Sequence, residues 1–306
     1  VLKLETNAAA LALTGLLLSA PPALCAEGQP QAIVSQIPAH PALWTVHGPK
    51  GTAALFGAIH ILPPNMQWRA EQVDDAMKAS DTFVFEIPMD DATKAEVVDF
   101  IQKNGTLPQG TTLSSLLDKK ARTDYAAALA LSHVPPENLE NKQPWLAMLV
   151  LDVGYIMQQH LSPDAGVDRQ VYAAARTLGG KSFRAFETPE QQFRLFMPKN
   201  RKLEIAEFDV SLKEMRNDKE SIGELIDAWS HADEKRLNQL MRKSVADHPD
   251  VEKALFETRN RAWVTQIEKM LDEPHTYFIT VGAGHLAGPK GVPALLRAKG
   301  YKVEGP

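Results

Sequence analysis

Two short stretches of the chain share the form G-x-x-H: "GAIH", Gly57 to His60, and "GAGH", Gly282 to His285. With 18 glycines and 9 histidines in 306 residues, about half of one such match is expected by chance, against two observed. Each stretch follows an apolar run, "TAALFGAI" and "HTYFITV", so each histidine is expected directly after a strand. Glycine at that point lets the backbone turn and lets another group approach closely, which is the reason to single out Gly57, Gly282 and Gly284. Two imidazoles and one carboxylate suit a divalent cation such as Zn²⁺, Mn²⁺, Co²⁺ or Fe²⁺, with a position left for water. Such an ion lowers the pKa of the water and polarises a carbonyl, and a second carboxylate can then take a proton.

Two carboxylates occupy comparable positions. Glu86 ends the run "DTFVFEI", on the opposite face from Phe83, Phe85 and Ile87 by strand alternation, and Glu187 ends "KSFRAFE". In open α/β sheets ligands bind beyond the carboxyl ends of the strands, so neighbouring parallel strands would bring His60, Glu86, Glu187 and His285 to one pocket. Plainer readings stand beside this one. Glu86 can pair with Arg69, Glu187 can sit at the N-terminus of "PEQQFRLFM", where negative charge is favoured, and a lone histidine after a strand is more often a hydrogen-bonded loop residue. "GVDRQVYAAA" reads most simply as a helix start with Asp168 in its first turn, and "ETRNRAWV" as a charged stripe beside an apolar face. "GAGHLAG" imitates a dinucleotide fingerprint, but the chain after it is too short for the second strand and acidic residue that such a unit requires.

The elements that must position these residues can be read from the pattern of apolar residues. Strands are expected at "LWTVH" and "TAALFGAI", forming a hairpin around "GPKG", and at "DTFVFEI", "KSFRAFE", "HTYFITV" and "YKVE". Helical spacing dominates from about residue 91 to 272, including "TLSSLLDKKA" and "RTDYAAALAL" as separate helices, "EKRLNQLMRKSVAD", and "VEKALFETRNRAWVTQIEKMLD" as one long helix. The result is a mixed α/β fold whose central sheet is built from N- and C-terminal segments around a large helical insertion. It forms one discontinuous domain over residues 43–306.

Composition narrows the function. A content of 44% hydrophobic residues suits a globular protein, and a net charge of −5 without a long basic run gives no footprint for nucleic acid. Residues 1–26 carry an apolar stretch ending in small residues and prolines, and read as a signal peptide, with 27–42 an irregular leader. The apolar part is too short to span a bilayer, so no membrane span is expected in the mature chain. The single cysteine, Cys25, lies in that segment, so thiol chemistry is excluded from the mature protein, and an exported, periplasmic or secreted location follows.

The stretches "LWTVHGPKGTAALFGAIHIL", "FVFEI", "LPQGTTLSSLL", "GVDRQVYAAA", "FETPEQQFRLF", "RNRAW" and "FITVGAGHLAG", in this order, resemble the TraB/GumN family. That family includes the Tiki metalloproteases and is distantly similar to ChaN-like haem-binding proteins and erythromycin esterases. The resemblance places the paired G-x-x-H on Gly57 with His60 and on Gly282 with His285, and the strand acid on Glu86. It places further elements on Gly166 to Asp168, on Glu187 with Gln191, and on Arg259 with Asn260. It implies an exported divalent-metal-dependent hydrolase using Mn²⁺, Co²⁺ or Zn²⁺ on a peptide or protein substrate, with His60, Glu86 and His285 as ligands, Glu86 alternatively the general base. Arg259 and Asn260 are then expected to contact substrate or an oxyanion, and Asp168, Glu187 and Gln191 to support the ligands from behind. The alternative it implies is a periplasmic protein that binds haem or another metal-bearing ligand without turnover. Ile87 and Pro88 stand where the family often has another polar residue, so Glu86 has no adjacent acid.

Overall fold

A computed structural model describes residues 39–197, 200–217, 221–243 and 249–306. The expected signal peptide with Cys25, and the leader up to residue 38, lie outside the described residues. Six strands form one sheet: β1 (Leu43–His47), β2 (Thr52–Ala58), β3 (Thr82–Phe85), β4 (Ser182–Ala185), β5 (Thr276–Gly282) and β6 (Lys302–Glu304), in the order β4-β3-β5-β2-β1-β6. Each lies within a run expected to be a strand, except that β5 extends one residue further, to Gly282. β4, β3, β5 and β2 are parallel neighbours, while β1 runs antiparallel to both β2 and β6. The central strand, β5, comes from near the chain's end and lies between two strands from its beginning, so the sheet closes only when distant segments meet.

The helices are, in chain order, α1 (Glu71–Ala79), α2 (Asp91–Asn104), α3 (Lys119–Ser132), α4 (Pro144–Gln158), α5 (Val167–Leu178), α6 (Pro189–Arg194), α7 (Arg201–Asn217), α8 (Ser221–Ser230), α9 (Glu234–Lys243), α10 (Pro249–Glu252), α11 (Thr258–Leu271) and α12 (Val292–Ala298). β5 is buried on both faces, which is why "TYFITV" carries large apolar residues on both faces rather than on alternate positions only. Its Phe278 joins Phe56 and Phe83 under α1, α5 and α8, through Val73, Met77, Val171 and Trp229. Its Tyr277, Ile279 and Val281 pack on the other face against Trp263, Ile267 and Leu271 of α11 and Leu296 of α12. The helical insertion has its own core between α3, α4 and α7, around Tyr125, Leu151, Phe208 and Leu212. A smaller cluster of Ile87, Phe100, Trp145 and Phe193 ties the insertion to the carboxyl edge of the sheet.

Two helical expectations need correction. "TLSSLLDKKA" is not a helix: only Ser114–Leu116 forms a 3₁₀ turn, and Asp118 starts α3 by accepting from the backbone N–H groups of Lys120 and Ala121, both at 2.8 Å. The cap merges the rest of that run with "RTDYAAALAL" into one helix. The helix over 251–272 is broken by a π-helical turn, Lys253–Glu257, which ends two residues before Arg259. Of the helix expected over 234–247, Glu234–Lys243 is helical and the remaining residues lie outside the described ones. Among the described residues no helix is long and apolar enough to cross a membrane.

Candidate functional site

The carboxyl ends of four adjacent parallel strands carry the four residues singled out by type. His60 follows β2, Glu86 follows β3, Glu187 follows β4 and His285 follows β5. Nε2 of His285 lies 4.0 Å from Oε1 of Glu86. A methyl group placed on Gly282 would stand 3.2 Å from Oε1 of Glu86, 3.5 Å from Nε2 of His60 and 3.6 Å from Cδ2 of His285. The two histidines and the acid therefore surround one small cradle above Gly282. Gly57 serves the same convergence from below, because a Cβ there would come within 3.0 Å of Cα of Ala283 and push the two histidine loops apart.

The His60 half is held by a carboxylate. Nδ1 of His60 donates to Oδ1 of Asp168 at 3.1 Å, which leaves Nε2 facing the cradle. Asp168 is in reach because Val167 at the start of α5 donates its backbone N–H to the carbonyl of Ile59 at 3.0 Å. Burial alone would lower the pKa of His60, but Asp168, with help from Glu86, outweighs it and raises the pKa above the usual histidine value. Trp229 anchors this loop, its Nε1 donating to the Gly57 carbonyl at 2.8 Å.

The His285 half is held by an amide, a guanidinium and two rings. The histidine closes a 3₁₀ turn, Ala283–His285, and its Nδ1 donates to Oδ1 of Asn260 at 2.6 Å, while Nδ2 of Asn260 donates to the Lys290 carbonyl. Nη1 of Arg259 donates to Nε2 at 3.0 Å. Since a guanidinium only donates, this ring is the neutral Nδ1–H tautomer with its lone pair on Nε2. The rings of Trp263 and Phe256 lie 4.4 and 5.1 Å away. Burial, reinforced by Arg259 and only partly opposed by Glu86, pushes the His285 pKa down to about 3.

Glu86 lies between the halves. Its Oε1 accepts from the Gly282 N–H at 2.7 Å, and its Oε2 accepts from Nη2 of Arg259 at 2.6 Å and Nε2 of Gln192 at 2.8 Å. Burial would raise its pKa, but Arg259, the two histidines and the Gly282 N–H hold it at about 2. That makes Glu86 a permanent anion and a poor acceptor of protons near neutral pH, which favours the ligand role over the general-base role.

Several roles expected from the sequence change on the structure. Arg259 is buried, and all five of its N–H groups have acceptors: Glu187, Glu86, His285 and the Leu255 carbonyl in the π-helical turn. Asn260 lies behind the His285 ring. Asn260 sets the ring from behind and Arg259 lies on its Nε2 side, and the N–H groups of Arg259 are all taken up within the protein. Glu187 binds Nε of Arg259 at 2.8 Å and Nε1 of Trp263 at 3.0 Å, not the N-terminus of α6, and Arg69 pairs with Asp74 rather than Glu86. Gly284 packs under Met241 of α9. Gln191 is exposed and forms a capping box with Thr188; the glutamine in the site is its neighbour, Gln192. The T-x-x-Q pattern at 188–191 carried that signal, since a capping glutamine folds back on the helix start and leaves the next residue to face inward. Trp229 had no such signal.

Two carboxylates, Glu86 and Glu187, share the one guanidinium of Arg259, while a third, Asp168, is spent on His60. The donor set of two nitrogens and one oxygen, each imidazole oriented by an acceptor on its far nitrogen, matches how proteins hold borderline divalent cations. Among the described residues no three His, Cys, Asp or Glu side chains stand close enough to hold an ion as placed. The donor set fits such an ion in its chemistry, and Nη1 of Arg259, which occupies the lone pair of His285, must withdraw for that nitrogen to take part.

Fold and site together define a mixed α/β protein with a split histidine–glutamate–histidine cluster at the carboxyl edge of its sheet. Residues 42–305 match the model of the TraB/PrgY/gumN family, and the chain belongs to that family. No curated protein and no solved structure matches the chain.

Proposed function

We propose that this protein is an exported, divalent-metal-dependent hydrolase of a peptide or a related amide or ester bond, with His60, Glu86 and His285 holding the ion. One observation carries the reading: two imidazoles from opposite ends of the chain each commit Nδ1 to a buried acceptor and keep Nε2 on the side of one buried carboxylate. Such an ion, when bound, polarises the scissile carbonyl and lowers the pKa of a water molecule. Asp168 and Asn260 fix the ring orientations, and Glu86 contributes negative charge without taking the proton. Arg259 pairs with Glu86 and Glu187 at once.

Metal content of the purified wild type, His60→Ala and His285→Ala, followed by cleavage of a peptide library with Mn²⁺, Co²⁺ or Zn²⁺, tests the reading. The expected result is a metal-dependent cleavage lost in both variants. Metal retained by both would sink the shared site, and cleavage surviving both would sink the mechanism.

A further inference from the structure

Gln192 is 2% exposed, on the six-residue helix α6, next to Phe193, whose ring stacks on Phe100 at 5.2 Å. Its Nε2 donates to Oε2 of Glu86 at 2.8 Å. Its Oε1 is fully buried and has no hydrogen-bond partner among the described residues. The amide cannot be turned round to relieve this, because its oxygen would then face a carboxylate oxygen. A buried carboxamide satisfied on one side only is worse for stability than an apolar side chain of the same size. Packing therefore does not explain a glutamine here; the contact with Glu86 does.

That contact decides which oxygen Glu86 presents. Gln192 and Arg259 both bind Oε2, whereas Oε1 takes, among the described residues, only the Gly282 N–H and is the oxygen beside the two histidines. Arg259 alone would not fix the carboxylate, since the same guanidinium is shared with Glu187, His285 and the Leu255 carbonyl. We propose that Gln192 is the positioning residue of this site: it pins Oε2 of Glu86 so that Oε1 is the one oxygen offered to a cation held by His60 and His285. This rests on the metal-dependent reading of the site.

The test compares the wild type with Gln192→Met, which keeps the volume and removes both the donor and the unpartnered oxygen, and with Gln192→Glu, which sets a second acid against Glu86. Mn²⁺ affinity is measured by the electron paramagnetic resonance signal of the free ion, and thermal unfolding is measured without metal. The expected result is Mn²⁺ binding about 10–100-fold weaker in Gln192→Met, the usual loss when an outer partner of a ligand is removed, with a melting temperature equal to or above the wild type's. Gln192→Glu weakens binding further. Unchanged Mn²⁺ affinity in Gln192→Met, or a lowered melting temperature with affinity intact, overturns the positioning role while the metal reading stands. A wild type that takes up no Mn²⁺, Co²⁺ or Zn²⁺ overturns both.

Discussion

The two G-x-x-H stretches read alike and stand in unlike surroundings. His60 rests on a carboxylate and has its pKa raised; His285 rests on an amide, touches a guanidinium, lies against two aromatic rings, and has its pKa lowered to about 3. The motif fixes where each imidazole sits relative to its strand, but the helix packed behind each strand fixes its charge. For His60 that helix is α5 with Asp168, and for His285 it is α11 with Arg259 and Asn260. The difference teaches that one half of the site is built around a negative charge and the other around a positive one, with Glu86 between them.

The comparison breaks most visibly at Arg259. Arg259→Met leaves the buried Glu86 and the half-buried Glu187 beside each other without their cation, and removing one partner of a buried ion pair costs about 3–5 kcal/mol. Denaturant unfolding should show a loss of that size, and the variant's Glu86 should no longer be held at its low pKa. A loss near zero would mean that the His285 half is not organised by the guanidinium, and the asymmetry drawn above would fall with it.

How much of this was legible in the sequence follows from what each feature depends on. The six strands and the residues just after them were readable because β2, β3 and β5 are marked by short, largely apolar runs close to Gly, Glu or Pro. The convergence of His60, Glu86 and His285 required only that those strands be parallel neighbours. The direction of Arg259 was not readable, because a charged residue on an amphipathic helix points inward only if acids meet it there, and Glu86 and Glu187 arrive from strands far away in the chain. The choice between Gln191 and Gln192 turned on a cap at Thr188, and an error of one residue moves a side chain from the surface to the core. The break before Arg259 left no apolar signature, since a π-helical turn shifts the register by one residue without changing the composition.

A pH titration of stability without metal sharpens the contrast between the histidines, because their contributions have opposite signs. His285 is unprotonated in the fold down to about pH 3, while in the unfolded chain it takes a proton near 6.5. Its share of stability is therefore intact above about pH 6.5 and is lost as the pH falls, by up to about 1.4 kcal/mol per pH unit. His60, with a raised pKa in the fold, contributes stability that is full below about pH 6.5 and is lost as the pH rises through the folded value. Stability measured from pH 4 to 8 in the wild type and in His285→Gln should show the acid-side loss only in the wild type. The same acid-side slope in His285→Gln would remove His285 as its source.

Asp168→Asn acts on the other half and should cost less, about 1–2 kcal/mol, since a hydrogen-bonding group of the same shape remains and only its charge is lost. Because the lost interaction is with protonated His60, the difference from wild type is largest below about pH 6.5 and shrinks as the pH rises. A difference that grows with pH would show that Asp168 stabilises something other than the His60 imidazolium.

The smallest change in stability is expected where the two halves meet. Gly282 has φ of −51°, a conformation open to any residue, and a Cβ there would stand 3.2 Å from Oε1 of Glu86, tight enough to displace that oxygen by a few tenths of an ångström. Gly282→Ala should therefore change unfolding free energy by less than about 1 kcal/mol, since the gain from a stiffer unfolded chain offsets the crowding. The same methyl fills the space between His60, Glu86 and His285, so Mn²⁺ binding should be lost while the fold persists. If Gly282→Ala unfolds with wild-type stability and still binds Mn²⁺ as the wild type does, the ion is not held between the two halves, and their opposite charges serve the fold alone.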